Sequence, residues 1–382
     1  DGTEDRRLVL RNGGSGLSWT PDGREIVYSE AQFHQTFSLF GDLSAVEVAT
    51  GRVRRITRGA RAHDADVSPD GRTIVFARKM GDRSELFTTS LSGGDLRPLT
   101  LSVAGVEWSG PRWSPDGETV VAARLLPGGW LDLVRVDPDT GEARLLTHDR
   151  ARDVEPTWAP GGEAVVFRSD RDGISNLYVL RPDDGRVSRL TNVLGGAFEP
   201  SVSPDGRTVA FSDYSSRGFD VHVASLDLEP PSPAPAFQDT RPAPRPDPPP
   251  VTGPVQPYRP WTMLWPRFWT PWIELGDSQN RLGVATGGSD ALFRHVWGLR
   301  ALYGSKTARV DTSAFYLYDR FRPSLLLTVD DKVDPNPEGE VRTRSFNARV
   351  SVPVRRTIRS TQTVAVAYRA ERKDTVGGVS AG

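Results

Sequence analysis

Cysteine is absent from the 382 residues of this chain, and methionine occurs only twice. Without cysteine there are no disulfides, no thiolate nucleophile and no cysteine-ligated metal site. No apolar run reaches the roughly 18 residues that a transmembrane helix requires. The net charge of −1 comes without a basic patch, so the composition predicts no pull toward nucleic acid.

Sequence motifs for catalysis are also missing. The chain contains no Gly-x-Ser-x-Gly elbow, no His-Glu-x-x-His helix motif and no P-loop. The aspartate-rich loop at residues 169–173 lacks the spacing of a calcium loop and is typical of a turn. The five histidines are scattered, at His34, His63, His148, His222 and His295. These absences predict that the chain is not an enzyme and binds no cofactor and no metal.

A Pro-Asp-Gly core followed by an apolar stretch recurs five times in the first 210 residues. The steps between the core prolines are 48, 46, 45 and 44 residues, and the prolines are Pro21, Pro69, Pro115, Pro160 and Pro204. Such a period is typical of a propeller blade or a solenoid unit. Because blades bury surface only against their neighbours, the array is expected to form one cooperative domain.

Each repeat is interpreted as four short strands. The first strand runs into the Pro-Asp-Gly turn, and the second is apolar and β-branched, as in residues 74–76 and 165–167. A third strand leads to an Asp-x-x-Gly turn, and the fourth ends in Leu-Thr or Ile-Thr. No long helical period interrupts this pattern, so the fold class is predicted to be all-β.

These repeats resemble the TolB-like propeller, a relative of the WD-repeat family, over residues 7–228. The fourth copy departs from the pattern because Gly161 and Gly162 replace Asp-Gly. The resemblance implies six blades, whereas five cores are visible. We therefore expect domain 1–228 to be truncated at its amino end, with residues 7–10 as the fourth strand of an earlier blade. Alternatively, residues 7–10 pair beside residues 220–226 and close a five-bladed ring.

A proline-rich segment, residues 229–260, follows the repeats. Its proline density disfavours strand ladders and favours extended polyproline II, so a spacer between two domains is predicted.

Residues 261–382 differ from the repeats in composition and pattern. Tryptophans cluster at the start of this segment, and strands of alternating apolar and polar residues follow. One set of residues, Phe346, Ala348, Val350 and Val352, shares an apolar face; Val364, Val366 and Tyr368 form another, and Val310, Thr312, Ala314 and Tyr316 a third. Either a membrane barrel or a soluble sandwich gives this alternation. Arginines that stand isolated on the polar faces favour a wet barrel lumen; they are Arg300, Arg309, Arg349 and Arg369.

This segment also resembles the carboxy-terminal barrel of the bacterial surface antigen (BamA/TamA-type) family. The resemblance rests on the motifs at residues 258–261, 264–271, 282–283, 288–290 and 294–295. It implies an antiparallel outer-membrane β-barrel, of which only six or seven strands are present. Residues 266–275 are preferred as its first strand.

Acidic residues stand five positions before the turn proline in three repeats, as Asp64, Glu155 and Glu199. In a propeller this position begins the innermost strand, so the carboxylates are expected to converge at one mouth of the central channel. Our hypothesis is an acidic ring that binds a basic peptide or a cation. The alternative is that they are solvated loop ends or hydrogen-bond acceptors within turns.

Together these features predict a non-enzymatic envelope protein of a Gram-negative-type bacterium. A periplasmic propeller would bind protein or peptide partners, and an outer-membrane barrel would anchor it or serve protein insertion or export. One alternative is part of a larger peptidase whose catalytic domain lies elsewhere. Another is a soluble two-domain binding module.

Overall fold

The computed structural model describes residues 6–229, 232–240, 256–320, 322–337 and 339–376. The chain divides into two compact units, Asp1–Asp247 and Pro248–Gly382. The division lies within the segment predicted as a linker. Residues 241–255 of that segment lie outside the described residues.

In its described residues, the first unit consists of five antiparallel sheets, one for each predicted repeat. Blades 1 to 4 have four strands each and blade 5 has three, so the predicted all-β fold and its five repeats are confirmed. Blade 1 contains β1 (Leu17–Trp19), β2 (Glu25–His34), β3 (Ser38–Glu47) and β4 (Val53–Arg55); blade 2 contains β5 (Ala62–Val67), β6 (Thr73–Met80), β7 (Arg83–Ser90) and β8 (Arg97–Pro98); blade 3 contains β9 (Glu107–Trp113), β10 (Val120–Leu126), β11 (Trp130–Val136) and β12 (Ala143–Leu145); blade 4 contains β13 (Val154–Trp158), β14 (Val165–Ser169), β15 (Asn176–Leu180) and β16 (Val187–Arg189); blade 5 contains β17 (Ala197–Val202), β18 (Thr208–Ser215) and β19 (Gly218–Ser225).

The Pro-Asp-Gly cores form the turns between the first and second strands. In blade 2 the Asp70 carboxylate accepts hydrogen bonds from the Ser68 hydroxyl at 2.6 Å and from the Arg72 N–H at 3.0 Å. Gly71 takes the left-handed conformation that the turn requires. In blade 4 the Gly162 N–H still donates to the Ala159 carbonyl at 2.9 Å. The glycine pair therefore keeps the turn and loses only the carboxylate contact.

The threonine of the recurrent Leu-Thr ending forms hydrogen bonds with the third strand. We call these hydrogen bonds, together with those of the acid or amide side chain that they involve on the third strand, the threonine bracket. In blade 4, Thr191 Oγ1 accepts the Leu177 N–H at 2.9 Å and donates to Asn176 Oδ1 at 2.9 Å. The Asn176 oxygen also accepts the Val193 N–H at 3.0 Å. In blade 3 the same place is held by Asp132, which accepts from the Asp149 N–H at 3.1 Å and from the Thr147 hydroxyl at 3.3 Å.

Hydrophobic burial occurs between blades, in four separate clusters. In blades 2 to 4, one face of the second and third strands packs against the preceding blade, and the other face packs against the following blade. The residue after the bracket acid or amide is a leucine in four blades, and each is fully buried against the following blade; these are Leu43, Leu86, Leu133 and Leu177.

The strand predicted at residues 7–10 is wrong, and the first part of the predicted linker pairs with blade 4. Residues 7–10 form no strand, and the chain there lies beside blade 1, where the Ala31 N–H donates to the Asn12 carbonyl at 3.0 Å. In the linker, the Arg189 N–H donates to Ser232 and the Ala234 N–H donates to Val187, at 2.9 and 3.0 Å. Pro233 is tolerated because it lies on the edge of the sheet, where its missing N–H is not needed.

The first regular element in the described part of the second unit is a 3₁₀ turn (Pro260–Met263), and one antiparallel sheet of seven strands in chain order follows. This sheet is open, so the predicted barrel is not shown. The first strand lies within residues 266–275, as preferred from the sequence. The strands are β20 (Trp269–Glu274), β21 (Arg281–Ser289), β22 (His295–Gly304), β23 (Val310–Tyr318), β24 (Ser324–Asn336), β25 (Gly339–Arg356) and β26 (Thr361–Val376).

The predicted alternation is present, and the strand register places the three apolar sets on one face of the sheet. The arginines on the opposite face are less isolated than the sequence suggested. Arg300 pairs with Glu274 at 3.0 Å, Arg309 pairs with Glu340 at 2.7 Å, and Arg369 pairs with Glu371. Among the described residues, no helix is long and apolar enough to cross a membrane.

Leu177→Ala is expected to lower the free energy of unfolding of the propeller by about 2 to 5 kcal/mol, because it leaves a cavity between blades 4 and 5. The matched control is Val221→Ala, which changes the same register position in blade 5, where the side chain is exposed. That control should change the free energy by less than about 0.5 kcal/mol. Chemical denaturation measures both, and equal losses would contradict this description of the core.

Asp132→Asn is expected to stabilise the propeller at pH 8 and not at pH 4. Burial raises the pKa of Asp132 to about 6, from 3.8, so its contribution to stability falls as pH rises through this window. The asparagine can accept the same two hydrogen bonds, as Asn176 does in blade 4. The gain at pH 8 should be about 1 kcal/mol after allowance for solvent screening.

The reciprocal variant Asn176→Asp supplies the control. It places a carboxylate at a buried position and should lose stability at pH 8 relative to pH 4. Denaturant unfolding at the two pH values measures both variants. A pH-independent effect of Asp132→Asn would contradict the assignment.

Candidate binding site at the propeller mouth

One backbone geometry recurs five residues before each turn proline. All five residues at this position have a positive φ, and the innermost strand bulges there in blades 2, 3, 4 and 5. Glycine adopts this left-handed conformation freely, whereas a carboxylate residue adopts it at some cost in free energy. The residues and their φ angles are Gly16 (70°), Asp64 (54°), Gly110 (56°), Glu155 (56°) and Glu199 (53°).

The structure brings these positions together in a row that runs from blade to blade. The Asp64 carboxylate accepts the backbone N–H of Gly110 at 3.1 Å, and the Glu155 carboxylate accepts that of Glu199 at 2.7 Å. Gly16 lies against Asp64, since a Cβ on Gly16 would be 3.1 Å from the Asp64 Cα. The carboxylates of Asp64 and Glu155 thus link their own blades to the next.

Sequence reasoning missed the partner of Glu155. Arg168, on β14, makes a bidentate pair with this carboxylate, with both N···O distances at 2.9 Å. The same guanidinium lies 5.2 Å from the ring centroid of Phe198 in blade 5. Glu155 is therefore neutralised, while Glu199 is exposed and meets the Ser212 hydroxyl at 3.5 Å.

A further carboxylate, Asp66, belongs to the same innermost strand as Asp64. It accepts the Ser18 hydroxyl of blade 1 at 2.9 Å and the Trp113 N–H of blade 3 at 2.8 Å. Burial raises the pKa of Asp66, and the Arg112 charge and these hydrogen bonds oppose that rise. Asp66 thus connects three successive blades, and its nearness to Asp64 was the only signal for it in the sequence.

Three other carboxylates, those of Asp132, Asp149 and Asp153, have oxygens within 4.8 Å of one another. Oxygen ligands of this kind could hold a hard cation. However, Asp153 is buried against the Arg171 guanidinium at 2.9 and 3.0 Å, and Asp132 belongs to the bracket of blade 3. These contacts account for the cluster as part of the blade structure.

Comparison with known proteins identifies the repeat. Residues 100–247 match the family model described as the TolB beta propeller domain. The "Protein TolB homolog" of Chlorobium luteolum is 30% identical over 160 residues, which cover 41% of this chain and 36% of that protein. The crystal structure of TolB from Acinetobacter baumannii superposes with a TM-score of 0.51 at 23% identity, covering 60% of this chain and 56% of that one.

A relative of a different kind is the "Uncharacterized peptidase YuxL" of Bacillus subtilis. It is 28% identical over 190 residues, which cover 40% of this chain and 29% of that protein. The prediction that this chain is not an enzyme is therefore corrected, because it was drawn from missing motifs and its relatives include a protein named as a peptidase. The chain spans about a third of the length of either curated relative. Within it, the repeats form a TolB-like β-propeller domain.

Proposed function

We propose that the chain belongs to the bacterial cell envelope, where the propeller acts in the periplasm as a scaffold for a protein partner and the seven-stranded sheet is part of an outer-membrane barrel. The observation that carries the first half is the row of left-handed carboxylate positions on successive innermost strands. The relation to a TolB homolog supports an interaction role. The proposed barrel would anchor the propeller or serve protein insertion or export.

A basic peptide segment is the proposed ligand of the mouth. Asp64 and Glu199 supply negative charge there, and the backbone positions that hold them are fixed by the bulges. Because the Arg168 guanidinium neutralises the Glu155 carboxylate, the proposal rests on the negative charges of Asp64 and Glu199. Partly exposed charges of this kind contribute modestly to affinity and more to association rate.

The double variant Asp64→Asn, Glu199→Gln tests this proposal. The new amide oxygen at position 64 can still accept the Gly110 N–H, so the fold is retained while two charges are lost. The Kd for a fluorescent ten-residue peptide of alternating lysine and glycine should rise about 3- to 10-fold at low salt, and the difference should fade at about 0.5 M NaCl.

The matched control removes two carboxylates from the Pro-Asp-Gly turns, as Asp116→Asn, Asp205→Asn. These side chains accept bonds from Ser114 and Ser203 within their own turns, so the net charge changes equally at a different site. An equal rise in Kd for both double variants would count against the mouth and indicate attraction by net charge alone.

The proposed membrane location rests on the outer surface of the second unit. One face of the sheet exposes apolar side chains on each of its seven described strands. Toward one end of β24 to β26 the same face also carries the ion pairs of Asp331 with Arg342 and Arg344. The other face carries the ion pairs of Arg300 and Arg281. Alternation of this kind is what a transmembrane barrel presents to lipid and to its lumen. Representative exposed residues, one or two from each strand, are Trp269, Leu282, Leu299, Tyr303, Val310, Val329, Val350, Val366 and Tyr368.

Expression with a signal peptide, followed by membrane fractionation and gel migration with and without heating, tests the membrane assignment. The protein is expected in the outer-membrane fraction with heat-modifiable migration. Val350→Asp should reduce the inserted fraction, because a charge on the lipid face costs up to a few kcal/mol, whereas Asn347→Asp on the opposite face should not. A soluble product with no heat effect would instead favour a two-domain binding module.

A second candidate function is favoured by the peptidase relative. In that case the propeller would admit peptides to a catalytic domain of a larger protein. Cleavage of the lysine-glycine peptide by the full-length protein, reduced by the mouth variant, would support this candidate over a scaffold.

A further inference from the structure

The outer edge of blade 4 is covered by a segment whose composition predicts a spacer. The Arg189 N–H of β16 donates to the Ser232 carbonyl at 2.9 Å, and the Ala234 N–H donates to the Val187 carbonyl at 3.0 Å. By main-chain bonds of this kind an extended peptide adds a strand to the edge of a sheet. We call residues 232–239 the strap.

Two ion pairs flank these main-chain bonds in the sequence. Arg181 pairs with Glu229, just ahead of the strap, at 2.7 Å, and Arg150 pairs with Asp239 of the strap at 2.6 Å. The two arginine side chains are 24% and 15% exposed, so most of their surface is covered. Between the two carboxylates in the sequence, Ala234 packs against the apolar cluster of blades 3 and 4. The edge therefore contacts main-chain groups, one small side chain and two carboxylates.

The two arginines are particular to blade 4. Arg181 closes the turn that follows the third strand, and Arg150 stands three residues after the threonine of the preceding bracket. At the first position, blades 1 to 3 have Glu47, Ser90 and Asp137. At the second position, the other repeats have Ala60, Val103 and Leu194. A peptide with a carboxylate toward each end therefore meets two cations at blade 4, whereas it meets a carboxylate at blades 1 and 3.

Backbone geometry alone does not explain why this edge is covered. The fourth strands β4, β8 and β12 also have an outer edge, and in the described part of the chain none of them pairs with a further strand. The main-chain groups of these edges are alike. The side chains around β16 therefore select the segment that binds there.

The strap is held by contacts that a competing peptide can replace. Glu229 is 70% exposed, and an ion pair with an exposed partner contributes little in water. Single main-chain hydrogen bonds contribute modestly as well, because both groups bond to water when they are apart. Covalent connection to the same unit keeps the strap at an effective concentration on the order of millimolar. This connection favours the bound state without making it permanent.

We infer that the outer edge of blade 4 is a strand-addition site for an extended, proline-containing peptide with a carboxylate toward each end. The strap is its internal ligand, and the external ligand is a segment of this chemistry in a second protein. Prolines are compatible with the site, because only the residues that flank Pro233 exchange main-chain bonds with β16. The site lies on an outermost strand and binds an acidic peptide. It therefore differs from the mouth, which is formed by the innermost strands and is proposed to bind a basic one.

Substitution of a single strap residue tests the internal contact. In the full chain, Ala234→Pro removes the N–H that bonds to Val187, so the strap is released and amide hydrogen exchange at Arg189 is expected to accelerate about tenfold or more. The matched control is Ala236→Pro, because the Ala236 N–H makes no hydrogen bond among the described residues. Exchange at Arg189 in the control should stay within about twofold of that in the parent chain.

A synthetic peptide with the sequence of residues 229–240 tests the external ligand. Added at up to about 5 mM, it is expected to slow exchange at Arg189 in the Ala234→Pro chain back toward the parent rate. The same peptide with Glu229→Gln and Asp239→Asn should need about a fivefold higher concentration for equal protection, because both ion pairs are lost. Neither peptide should change exchange in β4, β8 or β12.

A charge reversal keeps the inference testable if the proline variant does not fold. Glu229→Lys with Asp239→Lys changes two side chains outside the blade core and should release the strap, with the same faster exchange at Arg189. Arg150→Glu with Arg181→Glu, added to that chain, should restore slow exchange because both ion pairs are re-formed with opposite polarity.

Four results would overturn the inference. The first is unchanged exchange at Arg189 in both the proline and the lysine variants. The second is a lack of protection by the peptide in a chain whose strap is released, and the third is equal protection by the uncharged peptide. The fourth is protection at Arg189 in the parent chain that rises with protein concentration, since the occupant would then be the strap of a second copy.

Discussion

The first unit depends on one constraint, which is that a four-stranded blade cannot bury its own two faces. Each blade is thin, and its apolar side chains point outward on both sides, so every blade requires a neighbour. The buried leucine that follows the bracket acid or amide in blades 1 to 4 expresses this constraint at one position. The threonine bracket, the turn and the clusters between blades all serve to present that face in the correct register.

The same constraint links fold and candidate site. The bulge in the innermost strand brings a left-handed residue of one blade next to that of the following blade, and a carboxylate there can accept the neighbour's N–H. A glycine avoids the strain at this position but forfeits the bond. Asp64 and Glu155 are therefore explained partly by structure, and only the charge that remains exposed is available to a ligand.

The propeller could be predicted because its sequence repeats, whereas contacts between residues far apart in the sequence could not. The proline period, the turn residues and the Leu-Thr ending each report local hydrogen bonds, so the five blades could be read from the sequence. The Arg168 pair with Glu155 and the Trp113 bond to Asp66 join residues 13 to 47 positions apart, and no local pattern reports them. Residues 232–234 have the composition of a free linker, but they pair with β16 at the edge of blade 4. A proline is tolerated at such an edge. Arg300 and Arg309 pair with acids on other strands, and Arg369 pairs with Glu371 two residues further on. The alternation of polar and apolar residues along one strand does not indicate any of these partners.

The two units expose apolar surface in different ways, and the difference bears on function. In the first unit the exposed apolar residues lie partly on β1 and β19 and partly on loops of the middle blades, as at Leu101, Val103 and Leu194. In the second unit one sheet face exposes apolar side chains on each of the seven described strands, although Thr286 and His295 on that face are buried. Exposed apolar area of that extent in water requires a covering phase or partner. The lack of catalytic motifs says nothing about what covers this surface. The exposed side chains are therefore a better guide to the function of this chain than the motifs that it lacks.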